Sequence, residues 1–359
     1  MHHRRILITG GAGFIGTRLA QALCGSYRVW ILDNFHPQIH GANPSPPKSL
    51  QDVDVIVGDV RDPALLSKVL GDVQPNVIYH LAAETGTGQS QDEIARYCDV
   101  NVVGTARLLE AMRGTSSIEQ FVLASSRAVY GEGLYHDRRG HRVLVKPRSP
   151  SSMKSGDFSV KDETGALLTP AATDEQTAPN PCSVYASTKL MQEYLVTQAG
   201  GGRWRAAILR LQNVYGPGQA LTNPYTGVLS IFCAQLLSGK TLDIYEDGGI
   251  VRDFVFVDDV VSAFISVLQC SLPHGTTINV GSGRPTTILE AARRLIAVLN
   301  AKPTSCTISG HFRSGDVRYA LADISRAENM LHWQPTIDVA HGLAELAKWA
   351  KATYREVLA

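Results

Sequence analysis

Short apolar runs alternate with helical stretches along the N-terminal half of this chain. Arg5–Thr9, Arg28–Asp33, Asp54–Gly58, Asn76–His80, Gln120–Ser125 and Ala206–Arg210 show no internal polar alternation, as in Ile6-Leu7-Ile8. Strands buried on both faces read this way, so the pattern predicts a parallel sheet covered by helices on each side. The intervening helices are expected to begin near Gly13, Pro63, Ala95 and Val184. After Asn213 the chain turns irregular, then strand-like at Arg252–Val257 and Thr277–Val280, and it closes as helix, strand, helix. The rhythm breaks at 37–50, rich in Pro and Ser, and at 132–178, a basic Gly/Pro/Ser-rich insertion. A loop of the second length inside a compact domain is usually functional or mobile.

The first strand runs into Gly10-Gly11-Ala12-Gly13-Phe14-Ile15-Gly16 and then a helical stretch. Gly10, Gly13 and Gly16 would serve a tight turn, close approach to a pyrophosphate, and close helix–strand packing. The second strand ends at Asp33-Asn34, where the Asp33 carboxylate can accept from a ribose 2′-hydroxyl and would repel a 2′-phosphate. The cofactor expected is therefore NAD. Asp59 and Val60, after the third strand, could serve the adenine amino group and face. The small residues of Leu81-Ala82-Ala83 would let the cofactor lie close. His80 reads as structural. Asn101 starts a helix, either as a buried amide or as a hold on the catalytic helix, and is expected among the cofactor-binding residues.

The fold expected is thus α/β, a Rossmann-type doubly wound parallel sheet with a smaller C-terminal α/β substrate lobe. The NAD-binding domain would span 1–212, with 253–285 returning to it. The lobe would be formed by 213–252 and 286–359, with ligands between the two.

Bulk properties narrow the class. The chain has 359 residues, 44% hydrophobic and 19% charged, with a net charge of +1, which favours neither nucleic acid nor an anionic membrane. No stretch approaches the ~20 apolar residues of a membrane span, and Met1-His2-His3 leads into a strand without a secretory pattern. Six scattered cysteines without Cys-x-x-Cys suggest a reduced, cytoplasmic protein. The histidines offer no metal spacing, so no metal is expected.

Two side chains carry candidate chemistry. Tyr185 and Lys189 lie four residues apart in Ser-Val-Tyr-Ala-Ser-Thr-Lys and would share one helix face. A neighbouring ammonium favours a phenolate, a base able to take a hydroxyl proton. Ser125-Ser126-Arg127-Ala128-Val129-Tyr130-Gly131 ends a central strand, so its serines would face the crevice.

With these three motifs in order, the chain resembles the extended short-chain dehydrogenase/reductase family, specifically its nucleotide-sugar epimerases and dehydratases. The resemblance implies that Ser126, Tyr185 and Lys189 are catalytic, that Tyr185 and Lys189 also contact the cofactor, Lys189 at the nicotinamide ribose, and that Ser125 is a substrate contact and understudy beside Ser126. It places Asn213, in Leu209–Gly218, and Arg252, in Arg252–Val260, at the substrate diphosphate. It puts Arg313 and Asp316, in Arg313–Arg318, over the nucleotide, with Arg127 among the substrate contacts. Both arginines could fork onto a pyrophosphate. The family also implies a homodimer in which the helices carrying Asn101 and Tyr185 pair between subunits.

In 4,6-dehydratases of that family the residue aligned with Ser126 is usually followed by an acidic pair. Here Arg127-Ala128 stand there, and neither can do that carboxylate chemistry. The resemblance therefore implies an NAD-dependent nucleotide-sugar 4-epimerase working through a 4-keto intermediate. Four segments look like the subgroup acting on dTDP-L-rhamnose: Ser125–Gly133, Asn223–Gly227, Tyr245–Gly248 and Cys182-Ser183. UDP-hexose or UDP-uronic acid 4-epimerisation is the alternative, followed by a dTDP-sugar 4,6-dehydratase and a non-catalytic dinucleotide sensor.

Overall fold

The computed structural model describes residues 4–41, 45–221, 223, 225, 227–313 and 315–358. Met1-His2-His3, part of 37–50, Pro224 and Thr226 of one quoted segment, and Ser314 of another lie outside the described residues.

Seven parallel strands form the central sheet. Their order is Thr276–Val280, Arg205–Leu211, Gln120–Ser126, Val77–His80, Arg5–Thr9, Arg28–Asp33 and Asp54–Val57. The apolar runs earn this arrangement by side-chain period. Ile6 and Ile8 enter one core with Leu19 and Phe264, while Leu7 enters the opposite core with Leu66 and Phe121. Burial of each such side chain contributes roughly 2 kcal/mol. A one-residue slip would send all three to the wrong faces. This is the Rossmann-type doubly wound fold that the pattern predicts.

From Arg5–Thr9 the chain moves outward to Arg28–Asp33 and Asp54–Val57, then reverses to lay Val77–His80 on the other side of the first strand. The reversal opens a crevice beyond the C-terminal ends of these strands, where ligands bind in such sheets.

The C-terminal lobe has its own sheet, Asn213–Tyr215, Val251–Phe256 and Pro285–Thr287, and a pair formed by Leu242–Ile244 and Cys306–Ile308. Helices Val228–Leu237, Ile288–Leu299 and Val339–Leu358 enclose a second core, with Phe232, Leu295 and Leu346 at its centre. The chain returns from the lobe through helix Val257–Gln269, whose Val260 and Phe264 pack with Leu19 and Ala20 of helix Phe14–Leu23. Strand Thr276–Val280 then completes the large sheet.

Within 132–178, the short strands Tyr135–His136, Arg142–Val143 and Thr169–Pro170 form an antiparallel sheet. Its small core is Tyr135, Val145, Val160 and Leu168.

Candidate active site

The glycine turn is built for close approach. Gly10 has a φ of +69°, and a Cβ there would lie 2.6 Å from the Ala82 nitrogen; one on Gly16 would lie 2.5 Å from the Gly10 oxygen. The turn therefore fits against the end of strand Val77–His80 only as glycine. Helix Phe14–Leu23 starts directly after Gly13 with no side-chain cap, so its first N–H groups keep their capacity toward the crevice.

The next strand ends supply the crevice wall. Asp33 accepts from the Ala12 nitrogen (3.0 Å) and the Phe35 nitrogen (2.8 Å), which fixes its carboxylate at the rim. Asn34 donates to Asp59 at 2.9 Å, and Arg61 pairs with Asp59 at 2.8 Å. Burial opposes the Asp59 charge, but the hydrogen bonds from Arg61 and Asn34 outweigh it and hold the carboxyl down to about 2. Val60, Leu81, Ala82 and Ala83 line the same wall.

On the other wall stands the helix Val184–Ala199, and its start is pinned twice. Ser183 caps it, accepting from the Ala186 nitrogen at 3.1 Å, and Ser90 accepts from the Tyr185 nitrogen at 3.1 Å. Asn101 sits in a π-helical turn, Cys98–Val103, fully buried. Its amide nitrogen donates to Thr188 at 2.9 Å and to the Glu84 carbonyl, and its oxygen accepts from the Glu84 nitrogen at 2.7 Å. Asn101 thus braces the helix from behind and does not border the cleft. His80 is likewise committed inside, bridging Thr9 at 2.7 Å and Thr105 at 2.9 Å, and burial with the nearby Lys189 charge holds it down to about 3.

Ser126, Tyr185 and Lys189 converge on one cleft of about 1360 Å³. That volume exceeds an ordinary small-molecule site and suits a dinucleotide beside a second ligand. Burial raises the Tyr185 phenol, and a hydrogen bond with Ser126 works against the rise. Burial holds Lys189 down to about 7, and the carboxylate of Glu193 opposes it. Glu193 is itself clamped by Arg210, through Nε at 2.9 Å and Nη2 at 2.7 Å, and by the Ser125 hydroxyl. Ser125 also lines the cleft, but its hydroxyl is committed to Glu193, while Ser126 is the serine hydrogen-bonded to the tyrosine.

The lobe side is cationic. Arg127 donates to the Gly131 carbonyl at 2.5 Å, and burial together with Arg252 holds its guanidinium down to about 10. Arg252 donates to Asp316 at 2.7 Å and to the Val317 carbonyl at 2.9 Å. Arg313 lies over the Tyr245 ring, 5.1 Å from its centroid. Asn213 borders the cleft, and its buried Oδ1 has no hydrogen-bond partner among the described atoms, so it retains capacity for a hydroxyl donor.

Sequence reasoning missed Ser90, Glu193 and the bond between Asp316 and Arg252. Glu193 stands one helical turn beyond Lys189, a spacing that could have marked it. Ser90 lies in the four-residue helix Gln89–Asp92, which carries no local signal of its own.

Residues 7–153 match the model for GDP-mannose 4,6 dehydratase, and 161–281 match the NAD dependent epimerase/dehydratase family. A dTDP-L-rhamnose 4-epimerase of Burkholderia thailandensis is 41% identical over 96% of this chain and 94% of that protein. A UDP-glucose 4-epimerase of Mycolicibacterium smegmatis is 32% identical over 96% of this chain and 98% of that one. The fold superposes on a UDP-glucuronic acid 4-epimerase from Bacillus cereus, solved with UDP-glucuronic acid and NAD. The TM-score is 0.76 at 27% identity, over 97% of this chain and 99% of that one.

Proposed function

This chain belongs to the NAD-dependent epimerase/dehydratase family, and from that premise we propose that it inverts carbon 4 of a nucleotide sugar with NAD as resident cofactor. The observation that carries the reading is Tyr185 beside Ser126 and Lys189 in one cleft, with Arg127-Ala128 where elimination would need carboxylates.

NAD would be held by Gly10, Gly13, Phe14, Ile15 and Gly16 at its phosphates, by Asp33 at the ribose, and by Asn34, Asp59 and Val60 toward the base. When bound, NAD would supply a reversible hydride acceptor for carbon 4 and a nicotinamide charge that favours an anion nearby. The residues of this chain do the rest. Tyr185 removes the hydroxyl proton from carbon 4 and gives it back. Ser126 donates to the same oxygen. Lys189, which titrates near neutrality, favours the phenolate when protonated. Arg252, Arg313 and Asn213 hold the diphosphate and nucleotide while the 4-keto sugar turns to present its other face.

The substrate proposed is dTDP-L-rhamnose, supported by the 41% identical relative. A UDP-hexose or UDP-uronic acid is the second reading, supported by the 32% identical relative and the structural likeness. Incubating the purified protein with a panel of dTDP- and UDP-sugars, without added cofactor, and following the anomeric NMR signals tests both. A C4-inverted product is expected from one sugar. No change across the panel with NAD present in the protein would refute epimerisation.

A homodimer belongs to the same proposal. Ile94, Val103, Met191 and Tyr194 are exposed on or beside the helices that carry Asn101 and Tyr185, an apolar face suited to a second copy. Among the described residues no helix is long and apolar enough to cross a membrane. With six unpaired thiols, we place the enzyme in the cytoplasm, in the synthesis of an activated sugar.

A further inference from the structure

We propose that Arg148, carried by the 132–178 insertion, is a positioning residue that locks the arginine–aspartate pair over the nucleotide-sugar site. The inference rests on the functional reading above and assigns the insertion a task within it.

Arg148 reaches from the insertion into a buried acidic socket. Its Nη1 and Nη2 fork onto Glu246 at 2.9 and 2.8 Å, and its Nε lies 3.3 Å from Glu132. All three side chains are at most 4% exposed. Arg318 adds the second cation, donating from its side chain to Glu246 and from its backbone to Glu132, each at 2.8 Å. Arg148 thus sits between two buried carboxylates, and Arg318 links one of them to the exposed Asp247, onto which it forks at 2.7 and 2.8 Å.

Such a cluster is a poor device for stability, because desolvation offsets most of the attraction. Its geometry points to placement instead. Arg148 Nη2 also donates to the Asp316 carbonyl at 2.8 Å, and the Asp316 carboxylate receives Arg252 at 2.7 Å. One residue therefore separates Arg148 from the arginine assigned to the diphosphate. Glu246 sits at a φ of +55°, strained for a side chain of its kind, and adjoins Tyr245, the ring beneath Arg313. Glu132 follows the turn that starts at Ser126. The socket thus joins the serine turn, the Arg252–Asp316 pair and the Tyr245–Arg313 stack through one side chain. Lysine could not replace it, since a point charge cannot fork onto Glu246 while reaching the Asp316 carbonyl.

Arg148→Met and Arg148→Lys, with Lys146→Ala at an exposed pair of the same insertion as control, test the assignment. Arg148→Met is expected to raise KM for the nucleotide sugar about 30-fold, as loss of charge-assisted bonds implies. kcat should stay within about threefold and bound NAD should be unchanged, since the cofactor wall does not touch Arg148. Arg148→Lys should restore KM only in part, and the amides of 315–318 should exchange faster in both variants. Lys146→Ala should match wild type.

Wild-type KM in both variants would overturn the assignment. So would a lower melting temperature and NAD content with KM unchanged in the surviving enzyme, the signature of a structural part alone. If Arg148→Met does not fold, Arg148→Lys decides. Should the wild type turn over no nucleotide sugar, the functional reading fails, and amide exchange at 315–318 still decides the clamp.

Discussion

Lys189 titrates near 7 in the folded protein because burial strips water from its ammonium, whereas a free lysine titrates near about 10.4. Between these values the unfolded chain holds a proton that the folded one has released. Stability must therefore rise with pH across that window, and the folded state is penalised below it. Replacing Lys189 by Met removes the penalty. The stability difference between Lys189→Met and wild type, measured by urea unfolding, should shrink by on the order of 2 kcal/mol from pH 7 to pH 9. Parallel curves for the two proteins would show that Lys189 is not desolvated as described. Tyr185→Phe should lose ~1000-fold or more in turnover while retaining NAD, and full activity in that variant would sink the mechanism. Much at this scale was legible in the sequence. Tyr185, Lys189, the glycines and Asp33 announce themselves by local spacing, which short-range geometry fixes. Asp316 was not legible as the partner of Arg252, because the two lie 64 residues apart and meet only in the folded lobe. Asn101 was read halfway: its place behind the catalytic helix depends on Glu84 and Thr188, neither near it in sequence.

Elements in the large sheet were legible because their strands, the edge strand Asp54–Val57 apart, are buried on both faces. Six apolar runs became six strands, with ends shifted by a residue at most, since continuous burial leaves no competing register. In the lobe the run at Arg252–Val257 was legible and became Val251–Phe256, but the shorter strands of the lobe and of the insertion were not. Strands of two or three residues there, such as Tyr135–His136 and Asn213–Tyr215, are stabilised by their neighbours rather than by any pattern of their own. The start of the catalytic helix lies between these cases, with one pin local and one distant. Ser183→Ala removes the local cap and should cost about 1 kcal/mol in unfolding free energy. Ser90→Ala strips the partner from the Tyr185 amide. It should lower kcat about tenfold with little change in KM, because a misplaced base costs rate more than binding. Equal loss of stability and unchanged kcat in both variants would deny Ser90 that role.

Across the whole molecule, the doubly wound sheet brings the glycine turn, the serine turn and the catalytic helix to one crevice. The exposed pair Met191 and Tyr194, 45% and 50% accessible, faces away from it. Met191→Glu with Tyr194→Glu should convert a dimer to monomer in light scattering while leaving NAD bound; a variant still dimeric would place the interface elsewhere. On the ribosome the same sheet order imposes a delay. Arg205–Leu211 emerges with one neighbour, Gln120–Ser126, already made, but its other edge waits for Thr276–Val280. Until those later residues arrive, an apolar strand is open to pairing with other nascent chains. Truncated chains ending near 250 should therefore aggregate or recruit chaperones, whereas chains that include Thr276–Val280 should shed them. Synthesis would be most vulnerable during translation of the lobe, the part of the gene that encodes no strand of the large sheet until its return.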